Sequence, residues 1–157
     1  MKNMVFAYDR LGRMTSATTT VSTNLFDYSG FDLVTETQNG VTITRTHDSL
    51  GRSTGFNMGS AYIAAYGYDT FGRFAAVSSS VDTASYVANY SYVAGADLVA
   101  SVTNSAGFWR WVAYEQDRDT IASVENGFGS GTVSSFEYEN DAEGMRVLRV
   151  DSGAVTN

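Results

Sequence analysis

The stretch Tyr8-Asp9-Arg10-Leu11-Gly12-Arg13 decides the fold because it returns twice, as His47-Asp48-Ser49-Leu50-Gly51-Arg52 and as Tyr68-Asp69-Thr70-Phe71-Gly72-Arg73. Five matched positions (an aromatic or His, Asp, then Leu or Phe, Gly and Arg) co-occur by chance at on the order of a few in a million sites. The chain is therefore read first as a repeat. Weaker copies fill the gaps. Phe26-Asp27-Tyr28-Ser29-Gly30-Phe31 keeps the aromatic, the Asp and the Gly, and Asn140-Asp141-Ala142-Glu143-Gly144-Met145-Arg146 keeps Asp and Gly with its Arg one residue late. Degenerate units begin near Tyr92 and Tyr114, where Gly95-Ala96-Asp97-Leu98-Val99 echoes Gly30-Phe31-Asp32-Leu33-Val34. With starts at 8, 26, 47, 68, 92, 114 and 140, seven units cover nearly all of the chain.

Turn chemistry explains one unit. An Asp at the first corner accepts hydrogen bonds from backbone N–H groups further along, and Gly three residues later takes the left-handed conformation that closes a hairpin. The Tyr before the turn and the Arg after it are expected to face each other across the hairpin, close enough for the guanidinium to stack on the ring. A second kind of turn must lie between successive Asp turns. Gln38-Asn39-Gly40-Val41 is the clearest, since Asn-Gly favours a two-residue primed turn, and Asn104-Ser105-Ala106-Gly107 and Asn126-Gly127-Phe128-Gly129 read as looser versions. The apolar and hydroxyl residues of 41–46 begin with period two, and 62–68 places Tyr62, Ala64, Tyr66 and Tyr68 on one face of an extended strand. No segment between turns holds a helical period. The expected fold is all-β: about seven antiparallel hairpins, roughly 14 strands, forming a continuous curved sheet or open shell fragment, as a single repeat domain over 1–157.

Composition agrees with this and excludes several functions. The 157 residues include 10 Tyr, 9 Phe and 2 Trp but neither Pro nor Cys, where average usage predicts about 8 prolines. Turns must then be made by Gly, Asn, Asp and Ser, and thiol chemistry is excluded. The length allows one ordinary domain burying roughly 70% of its unfolded surface. A net charge of -7 and a pI near 4.5 argue against nucleic acid as a partner. No apolar run approaches the ~20 residues of a membrane span, and no signal region precedes Tyr8.

The Tyr-Asp-x-x-Gly-Arg turn at this spacing resembles the YD-repeat, or Rhs, family of bacterial proteins and their animal teneurin relatives. In that family such repeats build long hairpin sheets that spiral into a hollow shell. Some shells enclose a toxin polypeptide until delivery, and others act at cell surfaces, where carbohydrate binding has been proposed. The resemblance thus implies a secreted or cell-surface setting and either encapsulation or scaffolding. Toxin-releasing members follow the shell with an Asp-based self-cleaving site in a Pro- and Gly-rich context, which a chain with no Pro does not offer. Unpaired strand edges are expected to pair with another chain, giving self-association, or to continue a larger shell, and the resemblance implies an enclosed polypeptide or a carbohydrate as ligand.

The chemistry-bearing residues are weighed against this background. Tyr8, Asp9, Gly12, Arg13, Asp27, Gly30, His47, Asp48, Gly51, Arg52, Tyr68, Asp69, Gly72, Arg73, Asp141 and Gly144 are assigned to repeat turns. His47, the single histidine, stands in a Tyr position and is read as a Tyr substitute rather than a general base. Arg13, Arg52 and Arg73 are read as hairpin staples rather than an anion ladder. Glu115, Asp117 and Asp119, which share a side if extended, and Glu137, Glu139, Asp141 and Glu143 are the residues that a cation or paired acid catalysis would need. Edge charge that discourages strand pairing is the simpler account. Trp109 and Trp111 share one face of a strand about 7 Å apart, which suits coplanar stacking on sugar rings as well as packing. The chain is expected to be a structural scaffold without catalytic residues, metal or cofactor, the alternative being a carbohydrate-binding surface module.

Overall fold

The computed structural model describes residues 3–152, so Gly153 to Asn157, whose sequence is repeat-like, lie outside the described residues. Fourteen strands follow one another. They are β1 (Val5–Tyr8), β2 (Met14–Thr18), β3 (Thr23–Ser29), β4 (Asp32–Gln38), β5 (Val41–His47), β6 (Ser53–Met58) and β7 (Tyr62–Tyr68). The second half holds β8 (Phe74–Val81), β9 (Ala84–Tyr92), β10 (Val99–Asn104), β11 (Phe108–Tyr114), β12 (Ile121–Phe128), β13 (Gly131–Asn140) and β14 (Arg146–Ser152). Their order in the sheet is their order in the chain, and the sheet is open. Among the described residues there is no helix. The expected all-β hairpin array of 14 strands is the observed one.

Contacts divide the chain into two compact units, Met1–Tyr66 with Ser78–Ser85 and Gly67–Val77 with Tyr86–Asn157. In the first, period-two alternation separates two kinds of face. Thr35 pairs with Thr44 and Thr37 with Thr42, the last two joined through their hydroxyls at 2.8 Å. The opposite face carries Phe26, Glu36 and Ile43 in one cross-strand row and Arg45, Phe56 and Ala64 in the next, with Arg45 bonded to Glu36 at 2.8 Å. In the second unit, Val112, Val124 and Phe136 make an apolar row. On the other side Ser101 faces Trp111, which faces Glu125.

Neither unit has a conventional core. Among the described residues only Ala17, Gly55, Ala64, Ser101 and Gly127 are buried, and no large side chain is fully enclosed. The chain exposes 10770 Å², whereas a compact monomer of this mass exposes about 7,700 Å². The expected burial of roughly 70% therefore fails, because the apolar residues are shared between the faces of lateral ladders instead of meeting across layers. Backbone pairing and side-chain contact between successive hairpins must hold the array.

Two glycines show how close those contacts are. At Gly55, with φ +146°, a Cβ would lie 2.2 Å from the Ala64 carbonyl oxygen. At Gly127 it would lie 2.0 Å from the Trp109 ring. Gly127 thus belongs to β12 and seats Trp109, which corrects its assignment to a turn. The β12–β13 connection instead runs through Gly129 and Ser130.

Candidate functional site

Within each compact unit the charged residues of the repeat lie on the margin where its hairpins of the series β1–β2, β3–β4 to β13–β14 turn. Each strict turn is built alike. Asp9 Oδ1 accepts from the N–H of Leu11 at 2.8 Å and of Arg13 at 3.0 Å, and Gly12 takes φ +79°. Asp48 and Asp69 repeat these bonds with Leu50 and Arg52 and with Phe71 and Arg73. The other carboxylate oxygen accepts from the guanidinium: Arg13 Nε at 2.7 Å, Arg52 Nε at 2.7 Å and Arg73 Nε at 2.8 Å. Hydrogen bonds from the Arg13 side chain and then from its backbone hold the Asp9 carboxyl below its ordinary value. At Asp48 and Asp69 partial desolvation pulls upward, but bonds from the arginine side chain and the backbone outweigh it, so both also titrate low.

The arginine does not face the tyrosine of its own turn. Arg13 lies over the ring of Tyr28, 4.4 Å from its centre, and Arg73 lies over Tyr92 at 4.2 Å. Each reaches on to a backbone carbonyl of the following turn, that of Gly30 for Arg13 and of Ala96 for Arg73. The tyrosine reaches back. The Tyr28 hydroxyl donates to the Met14 carbonyl at 3.0 Å, that of Tyr92 to Phe74 at 2.6 Å and that of Tyr114 to Val99 at 3.0 Å. The expected staple within one hairpin is thus, at Arg13 and Arg73, a weld between successive hairpins. Neighbouring hairpins bring these groups closer than a hairpin's own two strand ends do.

The weld also appears where the motif is absent. Residues 115–120 form a turn, not the extended strand that would align Glu115, Asp117 and Asp119. Glu115 stands in the Asp place, 2.7 Å from Arg118 Nε, and Arg118 reaches the Asp141 carbonyl of the next turn. The Asn140 amide donates to Glu115 at 2.9 Å and to the Ile121 carbonyl at 3.2 Å, taking the tyrosine's part. Bonds from Asn140, then Thr120, with Arg118 nearby, hold the Glu115 carboxyl below its ordinary value. The signal available in the sequence was an aromatic followed by an acid and an Arg at turn spacing.

The remaining sequence assignments divide. A register step marks the tyrosine position at Tyr8, Tyr28, His47, Tyr92, Tyr114 and Asn140. Tyr28, not Phe26, therefore leads the second unit. Asp27 sits one residue before that step, within β3, and accepts from Thr35 at 2.9 Å, so it closes no turn. Gly30 does, at φ +59°. His47 holds a tyrosine position as expected. Asp141 closes its turn through Glu143 and Met145, with Gly144 at φ +80°, but Met145 occupies the arginine place. Arg146 turns instead onto Tyr138 at 3.7 Å. Tyr68, Gly51 and Gly72 lie where the repeat places them. The Leu or Phe of each turn, Leu11, Phe31, Leu50 and Phe71, is strongly exposed, and Phe71 also has the Arg73 guanidinium of its own turn 5.1 Å from its ring centre.

Trp109 and Trp111 are neighbours, with ring centres 6.4 Å apart, but their planes are inclined at 44°. They are not coplanar because Trp109 leans over Gly127 to donate to the Gly129 carbonyl at 3.1 Å, while Trp111 stays half exposed. Among the described residues no group of three or more His, Asp or Glu is placed to hold a metal ion.

No family model matches the chain, and no curated protein does. Solved structures do. A crystal structure of TcdB2-TccC3-Cdc42 is similar over 99% of this chain with a TM-score of 0.77 at 16% identity. One of TcdB2-TccC3 is similar over 97% with a TM-score of 0.75 at 15% identity. At such identities the likeness is one of fold. This chain spans 9% of the length of each of those chains.

Proposed function

We propose that this chain is a non-enzymatic structural scaffold, a stretch of wall of the Rhs/YD-repeat shell type, serving encapsulation or display rather than chemistry. The observation that carries the reading is the weld. The Arg and Tyr of the turn, which in an enzyme would be candidates for chemistry, bond one hairpin to the next, and the Asp holds the Arg in place. The turn's resemblance to the YD repeat and the likeness in fold to the TcdB2-TccC3 structures support the same reading. In such a wall the repeat's recurring chemistry is cohesion, and any enclosed polypeptide would be met by the sheet faces.

Arg13→Ala tests this. Because Arg13 bonds across to Tyr28 and Gly30, its loss should lower stability by about 1 to 2 kcal/mol. Amide exchange should rise in β3–β4 as well as in β1–β2. An effect confined to β1–β2 would overturn the reading.

A second reading, a carbohydrate-binding surface, rests on the half-exposed Trp111 beside Trp109. Titration with oligosaccharides, followed by tryptophan fluorescence, separates the two. Binding abolished by Trp111→Ala would establish the sugar surface, and unchanged fluorescence would remove it.

A further inference from the structure

We infer that the turns at 93–98 and 115–120 bracket a binding site for a guanidinium group, the arginine side chain of a partner polypeptide. Such a site would add recognition to the scaffold, and it rests on the weld geometry rather than on the use to which the wall is put.

The series of welds has a gap at this place. The Val93 N–H donates to the Leu98 carbonyl at 2.8 Å, as the Asp69 N–H does to the Arg73 carbonyl at 2.8 Å. Val93 therefore stands in the Asp place and Leu98 in the arginine place. The next tyrosine, Tyr114, keeps its hydroxyl bond to the Val99 carbonyl, but among the described residues no guanidinium covers its ring. One hairpin earlier, Arg73 lies over Tyr92 at 4.2 Å and donates to the Ala96 carbonyl. The difference shows as space. The recess beside Arg73 measures about 150 Å³, whereas the one beside Leu98, with Val93, Ala96 and Tyr114 in its wall, measures about 470 Å³. Leucine is shorter than arginine and has no charged head, so the far end of the arginine place stays open. All of these residues belong to the second compact unit.

Charge selects the occupant. Asp117 and Asp119 line the same recess, are exposed and have no ion pair among the described residues. Glu115 is already matched by Arg118 at 2.7 Å. Arg118 borders the recess, yet its guanidinium reaches on to the Asp141 carbonyl of the following turn. A tyrosine face beside two unmatched carboxylates attracts a cation, and the flat, weakly hydrated guanidinium stacks on a ring better than an ammonium does. Val93 and Leu98 offer its methylene stem an apolar bed. A metal ion fits poorly, since among the described residues no three acidic groups converge.

Titration with acetyl-arginine amide at low salt, followed through backbone amide resonances, tests this. Resonances of 93–98 and 114–119 should move. Acetyl-lysine amide should move them less, and acetyl-citrulline amide, similar in shape but uncharged, should leave them in place. Leu98→Arg fills the site with the chain's own guanidinium and should abolish binding. Asp117→Asn combined with Asp119→Asn should weaken it about 5-fold. A response to citrulline equal to that to arginine overturns the inference, as does binding that Leu98→Arg leaves unchanged, or calcium chloride moving the same resonances as strongly at equal concentration. If Leu98→Arg does not fold by circular dichroism, the double variant at the two exposed carboxylates decides: unchanged affinity overturns the inference. A titration that moves nothing also overturns it but leaves the scaffold reading standing, since that reading is tested at Arg13.

Discussion

The two margins of the array close their hairpins with the same device and use it differently. On one margin Asp69 accepts from the N–H groups of Phe71 and Arg73. On the other Asn104 accepts from those of Ala106 and Phe108, at 3.0 and 2.9 Å, with Gly107 at φ +94°. The geometry is shared, yet the second margin has Phe108 in the arginine place. A neutral side chain therefore suffices to close the turn. The charge on Asp69 serves Arg73, and through it the next hairpin.

Removing both acceptors breaks this comparison most sharply. Asn104→Ala loses only turn closure and should cost about 1 kcal/mol in denaturant unfolding. Asp69→Ala loses turn closure and also leaves Arg73 without its carboxylate, so it should cost clearly more. Equal losses would mean that the weld contributes nothing.

The same contrast explains what could be read in advance. The Asp-x-x-Gly turn was legible because its bonds span two to four residues, so local spacing contains the whole cause. The welds span fourteen or more residues, from Tyr28 to Met14 or from Arg13 to Gly30, and a repeat period alone does not say which tyrosine an arginine will meet. Asp27 misled because motif spacing cannot see the register step at Tyr28. Glu115 was misplaced because strand alternation was continued past Tyr114, where the chain turns. The missing core was hidden by composition, which counts aromatic residues without saying that they spread over two faces.

Acid should separate the margins next. Asp9, Asp48, Asp69 and Glu115 all titrate below their ordinary values of 3.8 and 4.5. A carboxyl depressed in the folded state contributes stability that is fully present above its unfolded value and is lost as pH falls through the folded one. The charged margin should therefore hold down to the ordinary carboxylate range and loosen below it, whereas the turns at Asn39 and Asn104 have no carboxylate in the Asp place to protonate. Glycine amide resonances report each turn: Gly12, Gly51 and Gly72 should move before global unfolding, while Gly40 and Gly107 stay. Joint movement of both sets would erase the distinction.

The smallest effect sharpens the comparison to one atom. Tyr92→Phe keeps a ring for Arg73 to cover and deletes only the hydroxyl that donates to the Phe74 carbonyl at 2.6 Å. Its cost should be about 1 kcal/mol, the net worth of one partly buried hydrogen bond. Tyr8→Phe makes the same chemical change at the same place in the repeat, but the Tyr8 hydroxyl faces solvent in the isolated chain. In dilute solution it should change stability by less than about 0.5 kcal/mol. If the two losses were equal, the hydroxyl would be acting within its own hairpin, and the case for welds between hairpins would fall with it. If they differ as expected, the contribution of the tyrosine depends on a preceding turn being there to receive it, which makes the junction between hairpins the cohesive element of this array.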